Sequence, residues 1–476
     1  MRGLVQGLLP PFGDLARLEP RWAGRLLAAA LAFGYVCGGL GLLHFLLLPA
    51  GLTGRWWPVL VLAIFLAGAV AGFRRRTLPA QAAGAGAPPL RWVRPLAMVT
   101  GALGLLVLGA QLIAARAAPY GQWDAFAIWN LRARFFAGPG ESWKHAVNDI
   151  VLEMHPEYPP LLSSAVAALW KLTATAGEAA VPLALGLSFF WAAAAVLVAS
   201  LAVLRGTALA VLAALTLATG APFLEQSTWQ YADIPLAYYF LATLGLLALA
   251  AANAKAEAEK ALLPLSGLFA GFAACTKNEG IPFLVVVAAL WALLVWRKQG
   301  GGAVRRNLGL WCAGAAGPAL LLAAFKIFIA PAIGPLGGQS FAQLADKLTN
   351  PARYQMILAS SFDGLLELGR GPSHPLLILA ALAFALRFAP PGARRPAAAC
   401  GAVVAVMLAV YWGVYLVTPN DLTWLLNTSL IRLYVQLLPG LLLAAFLALR
   451  APAEPAAAEP PEPQAPRKGR KRKPRK

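Results

Sequence analysis

Apolar runs of roughly 17–25 residues recur along this chain from one end to the other, and they leave few choices of fold. A segment that long and that poor in charge can satisfy its backbone in hydrocarbon only as a helix. The first runs are Arg25–Ala50 and Trp57–Phe73, and the last is Ile431–Leu449. Of 476 residues, 59% are hydrophobic and only 13% charged, against about a quarter charged in a soluble domain. The expectation is an all-α, polytopic bundle of about twelve transmembrane spans.

The formal net charge is +20, which in a soluble chain would point to nucleic acid. Here the cations sit between the apolar runs and in the tail, where the positive-inside rule puts them, so no nucleic-acid partner is expected. The four cysteines, Cys37, Cys275, Cys312 and Cys400, fall in or at the ends of apolar segments. Their spacing fits no zinc site and implies no disulfide framework. The N-terminus has no short apolar core with a small-residue cleavage site, so a cleavable signal peptide is not expected.

Arg74, Arg75, Arg76, Arg91 and Arg94 flank a small-residue linker after the second span and put that loop, and the N-terminus, in the cytoplasm. The third span, Pro95–Ala115, then delivers a long loop to the outer side. The later spans are expected at Val181–Leu204, Thr207–Phe223, Ile234–Ala252, Ala261–Cys275, Ile281–Trp296, Leu308–Ile329, Pro375–Arg387, Ala397–Thr418 and Ile431–Leu449. The short apolar stretch Pro160–Leu172 decides the topology. If it crossed, cations such as Arg205, Arg297, Lys298, Arg387, Arg394 and Arg395 would all face outward. It is therefore expected to be a juxtamembrane helix at the outer surface. The chain divides into a two-span region with a cytoplasmic linker (residues 1–94), a main membrane domain (95–450, with its outer loop at 117–180) and a basic cytoplasmic tail (451–476). The tail should be disordered and lie near anionic headgroups, or serve only as a topology anchor.

The loop Pro119–Leu162 is the longest polar interruption. It holds Asp124, Glu141, Asp149, Glu153 and Glu157, two of the four histidines (His145 and His155), and a dense set of aromatics. On this topology Asp124, His145, His155, Glu157, Asp233, Lys277, Glu279, His374, Asp421 and Arg432 all fall at outer helix ends or in outer loops. Four segments bring polar groups there: Gln122–Asn130, Glu225–Pro235, Thr276–Gly280 and Asn420–Arg432. Grouping at one face suits an enzyme whose water-soluble reactant arrives from that side. A transporter more often keeps such groups near the midplane. Each member also has a plainer role. Asp124 and Asp233 could cap helices. Lys277 and Glu279 could pair within a turn, and Arg432 could snorkel to headgroups.

The order of these segments resembles the GT-C superfamily of integral-membrane glycosyltransferases, especially the aminoarabinose and protein O-mannosyl transferase types and their bacterial relatives. The matching residues are Asp124 in QWDAFAIW, Tyr158-Pro159-Pro160-Leu161, Asp233 in YADIP, Lys277 and Glu279 in TKNEG, and the late segment Asp421–Leu433. The resemblance covers about Gly101 to Gly440. The chain departs from the pattern in having Tyr158 where many members have His, with His155 three residues earlier, and in a single Asp124 without an acidic neighbour.

The resemblance implies a GT-C-like fold in the inner membrane of the cell envelope. It also implies transfer of a sugar, with inversion, from a polyprenyl-phosphate donor to a glycan, lipid or protein acceptor on the extracytoplasmic face. Asp124 is then the candidate general base, with Asp233 as the second catalytic candidate. Arg432 and Lys277 are the candidate phosphate-binding cations. His155, Glu157, Tyr158 and Glu279 are candidates for contacting substrate or metal. Asp233, His155 and Glu157 form a permissible ligand set for a divalent cation, the one cofactor entertained. Trp123, Trp129, Trp143 and Tyr158 either stack on sugars or belong to the interfacial aromatic belt. The alternatives are a transporter or flippase of lipid-linked sugars and a scaffold.

Overall fold

A computed structural model describes residues 9–75, 90–148, 154–252, 256–331 and 338–452. Most of the linker after Arg75, Asp149 and Glu153 of the long loop, and the tail from residue 453 lie outside the described residues. Apart from a single bridge between Phe388 and Leu449, the described residues are helical or loop.

The helices are α1 (Arg21–Leu47), α2 (Trp56–Arg74), α3 (Val93–Ala117), α4 (Asn130–Ala137), α5 (Leu161–Thr173), α6 (Ala180–Arg205), α7 (Thr207–Leu217), α8 (Ala221–Gln226), α9 (Asp233–Ala252), α10 (Ala256–Thr276), α11 (Gly280–Gln299), α12 (Gly301–Phe328), α13 (Phe341–Thr349), α14 (Pro351–Glu367), α15 (Pro375–Leu386), α16 (Arg395–Val417) and α17 (Leu422–Ala448). Ten of them, α1, α2, α3, α6, α9, α10, α11, α12, α16 and α17, are long and apolar enough to cross a membrane. Two of the twelve expected spans differ. Thr207–Phe223 is an 11-residue helix broken before α8 at Gly220, and Pro375–Arg387 is a helix of 12 residues.

The bundle is built around α9, in which every residue from Asp233 to Ala250 is buried. Helices α6, α10, α16 and α17 pack on it, and α1 packs on α6. A helix apolar all round is a core helix, and this one is sealed by its own tyrosines. Tyr238 and Tyr239 donate to the Ala30 and Gly34 carbonyls of α1 at 2.7 and 3.1 Å. The outer helices show the reverse. On α3, Met98, Leu105, Leu106 and Ile113 are exposed, a lipid-facing surface on a helix with few neighbours.

Helix α5 is 13 residues long, about 20 Å and short for a span. Leu161 to Ala168 and Trp170 are buried against α1 and α4. The segment α13–α14 was not expected to be helical. It clamps the end of α16, where Arg353 donates to the Tyr415 and Leu416 carbonyls at 2.8 and 3.1 Å and Lys347 donates to Thr418 at 2.7 Å. Those carbonyls are the orphan acceptors of a helix C-terminus.

Candidate functional site

The first residue of the central helix is Asp233, and its carboxylate organises everything around it. Its side chain is fully buried. Oδ1 accepts from Lys277 Nζ at 2.9 Å and from Gln436 Nε2 at 2.5 Å, and Oδ2 accepts from Arg432 Nε at 3.0 Å. Arg432 reaches on through Nη2 to Asp124 Oδ2, 2.7 Å away. Lys277 reaches Glu279 Oε1 at 2.8 Å. The result is a continuous alternation, Asp124–Arg432–Asp233–Lys277–Glu279. It gathers segments that lie up to 308 residues apart. Exposure grades from nothing at Asp233 to 16% at Asp124 and 20% at Glu279, so the network has a buried floor and a partly open top.

Two glycines make this assembly possible. Gly121, at φ +78°, lies so close to the chain after α8 that a Cβ would stand 2.4 Å from the Trp229 carbonyl. Gln122 N donates to that same carbonyl at 3.3 Å. This registers Asp124 against Tyr231, whose hydroxyl accepts from the Asp124 amide at 3.1 Å. Gly280 closes the TKNEG turn, where a Cβ would fall 2.0 Å from the Ala273 carbonyl. That tightness aims Lys277 inward at Asp233 while Glu279 stays at the edge.

Tyr231 also underlies Arg432, whose Cζ is 4.7 Å from the ring centroid, a cation–π contact that fixes the guanidinium plane. Burial pushes the Tyr231 phenol up to about 12, so it is neutral beside the guanidinium. Burial lowers the Lys277 ammonium, but Asp233 and Glu279 outweigh that and hold it above its ordinary value. Lys277 is therefore a fixed positive charge.

Asp124 precedes a single π-helical turn, Ala125–Trp129, a widened turn frequent at functional sites. Its side chain makes no capping bond there, so its contact is ionic and the capping role does not apply. Both oxygens of Asp233 accept from donors, Oδ1 from Lys277 and Gln436 and Oδ2 from Arg432. The final helix begins at Leu422, not Ile431, so Arg432 lies about 15 Å along it. It is an inward-facing cation and not a headgroup anchor.

His155, Glu157 and Tyr158 form a second group beside the first. His155 has φ +49°, in the strained left-handed region. Its Nδ1 lies 3.0 Å from Glu157 Oε1, and its ring stacks on Tyr158 at 4.5 Å. Tyr158 stacks in turn on Trp129 at 5.6 Å. Trp129 is 1% exposed, while Tyr158, between two ring neighbours, is half-buried. Trp123 is 67% exposed. Burial raises the Glu157 carboxyl, but the His155 hydrogen bond, with Arg132 behind it, brings it below its usual range. Two cations hold the loop by its carbonyls. Arg132 Nη2 donates to Tyr158 O at 2.8 Å, and Lys326 Nζ to Glu157 O at 2.6 Å and to Asn278 Oδ1 at 2.8 Å.

The expected metal set does not assemble. The Asp233 carboxylate is saturated by Lys277, Arg432 and Gln436, while Glu157 pairs with His155. Among the described residues, no three His, Cys, Asp or Glu side chains gather as a metal site would require. Other expected residues have local roles. Asp421 caps α17 through the Trp424 amide at 2.7 Å, His374 caps α15 through Leu376 at 3.2 Å, and His145 packs on Phe135. Glu141 pairs with Lys144 and Glu225 with Arg370 on the surface.

Gln436, Tyr231, Lys326 and Arg132 were not singled out as site residues from the sequence. Gln436 lies one turn after Arg432, on the same face of α17, and that spacing is the signal that could have found it. Compared with models of known protein families, with curated proteins and with solved structures, the chain matches none.

Proposed function

We propose that the chain is a GT-C-type membrane glycosyltransferase. It moves a sugar from a polyprenyl-phosphate carrier to a hydroxyl of a glycan, lipid or protein acceptor, with inversion at the anomeric carbon. One arrangement supports this. Arg432 and Lys277 are both bracketed by the buried Asp233, with a second carboxylate, Asp124, at the open edge of the same network. A cation pair fixed in a largely dry site is suited to a phosphate whose charge grows during reaction. A carboxylate within reach of that phosphate is suited to take a proton from the attacking hydroxyl.

The charge balance favours the same chemistry. The acceptor oxygen forms a bond to the anomeric carbon as its proton passes to Asp124. The bond from that carbon to the phosphate oxygen breaks, and its electron pair stays on the phosphate. Asp124 loses one negative charge while the phosphate gains one, so the total facing Arg432 and Lys277 is constant through the step. Asp233 does not react. It keeps the two cations apart and aimed.

The cations Arg205, Arg297, Arg387, Arg394 and Arg395 lie at helix ends remote from this network. The positive-inside rule then puts the network on the extracytoplasmic face of the inner membrane and both termini in the cytoplasm. The test is direct binding, to the full chain in lipid nanodiscs, of a polyprenyl phosphate and of the same polyprenol without its phosphate. Wild type should bind only the phosphate. Arg432→Lys, which keeps the charge and loses the planar fork, should weaken binding, and Arg432→Ala should weaken it by about tenfold or more. Wild-type affinity in both variants would refute the phosphate role.

A further inference from the structure

We propose that Asp124 holds the place on Arg432 that the donor's phosphate takes, so that donor binding and release of the base are one exchange. This rests on reading the site as one for a lipid-linked phosphate. Three carboxylates, Asp124, Asp233 and Glu279, face two cations, Arg432 and Lys277, so the network already carries one excess negative charge. A phosphodiester monoanion entering beside all three would bring a second excess charge into a largely buried site. One carboxylate must therefore give way.

The geometry selects which. Asp233 is fully buried, sits on the first turn of the central helix, and accepts from three donors through both oxygens. Glu279 pairs with Lys277 at the edge and accepts from Gln436 only at the 3.5 Å limit. Asp124 shares the guanidinium with Asp233 through one oxygen, is 16% exposed, and hangs on a short segment between α3 and the π-helical turn. Helix α3 itself packs chiefly on α7 and α8. The fixed carboxylate sets the guanidinium through Nε, and the Nη2 corner held by Asp124 is the exchangeable one.

Two consequences follow for the reaction. While Asp124 is paired to Arg432, its Oδ2 is occupied by the guanidinium Nη2 at 2.7 Å. Displaced by phosphate, it becomes free to take the acceptor's proton, so the base is armed only when the donor is in place. After transfer the product phosphate carries the extra charge and Asp124 the proton. Once Asp124 loses that proton to water it competes again for Nη2, which favours release of the lipid phosphate.

The experiment measures affinity alone, so no sugar or acceptor need be known. Purified full-length wild type, Asp124→Asn, Asp124→Ala and Arg432→Ala, in nanodiscs, are titrated with a polyprenyl phosphate, with phosphatidic acid as the ordinary headgroup comparison and with inorganic phosphate. Removing the competing carboxylate should tighten polyprenyl phosphate binding by about tenfold in both Asp124 variants, and Arg432→Ala should weaken it. Equal or weaker binding in both Asp124 variants, with Arg432→Ala still impaired, would overturn the exchange while leaving the phosphate site standing. Unchanged binding in Arg432→Ala, or equal preference for phosphatidic acid, would overturn the phosphate reading and the exchange together.

Discussion

Asp233→Asn separates a scaffold carboxylate from a reacting one. The native side chain offers two oxygens to three donors at 2.9, 2.5 and 3.0 Å, with no exposure to water. Asparagine keeps one oxygen, which can still serve Lys277 and Gln436. Its amide then faces Arg432 Nε donor to donor, and one negative charge is gone from between two cations. Breaking a buried ion pair by removing one partner costs about 3–5 kcal/mol. Here the lower end applies, about 3 kcal/mol, because Arg432 keeps Asp124 and Lys277 keeps Glu279. The same change at Asp124 removes a partly exposed pair and leaves Arg432 its buried partner, so it should cost about 1 kcal/mol or less. Reversible unfolding of the purified protein in mixed micelles, followed by tryptophan fluorescence, gives both numbers. Equal stabilities for Asp233→Asn and Asp124→Asn would refute the account of Asp233 as the bracket between the cations.

Single cysteines at Glu141, Asp346 and Gly301, in a background without the native four, test sidedness. The first two should react with an impermeant thiol reagent on intact cells and the third should not; the opposite pattern would invert the proposed orientation. Glu157 gives a pH signature. Its carboxyl is held below the ordinary 4.5, so its contribution to stability is complete above that value and is lost as pH falls below it. The melting difference between wild type and Glu157→Gln should therefore shrink as pH falls below about 4.5. A difference that does not shrink below that pH would contradict the His155–Glu157 pairing.

Much of this was legible in the sequence, for physical reasons. Long apolar runs permit only helices in a membrane, so the all-helical bundle follows from composition along the chain. Asp124, Asp233, Lys277, Glu279 and Arg432 stood out because each is an ionisable group at the edge of an apolar run. A pairing such as Arg432 with Asp124 across 308 positions leaves no local trace. Gln436 was hidden because an amide inside a span draws less notice than a charge, although it shares a helix face with Arg432. Helices α13 and α14 escaped because their polar and apolar residues are mixed, Phe341 and Phe362 being exposed beside Lys347 and Asp363. His374 and Asp421 looked like site residues and are helix caps, a role that one sequence cannot tell from catalysis when both occur at the same end of a span.

The most direct test is a cryo-electron microscopy structure of the full-length protein in nanodiscs with a polyprenyl phosphate bound. The account requires the phosphate oxygens to lie within hydrogen-bond distance of Arg432 and Lys277. Asp233 should be unmoved between them and Asp124 displaced from the guanidinium. A lipid phosphate seated elsewhere, with the 2.7 Å Asp124–Arg432 pair intact, would contradict it.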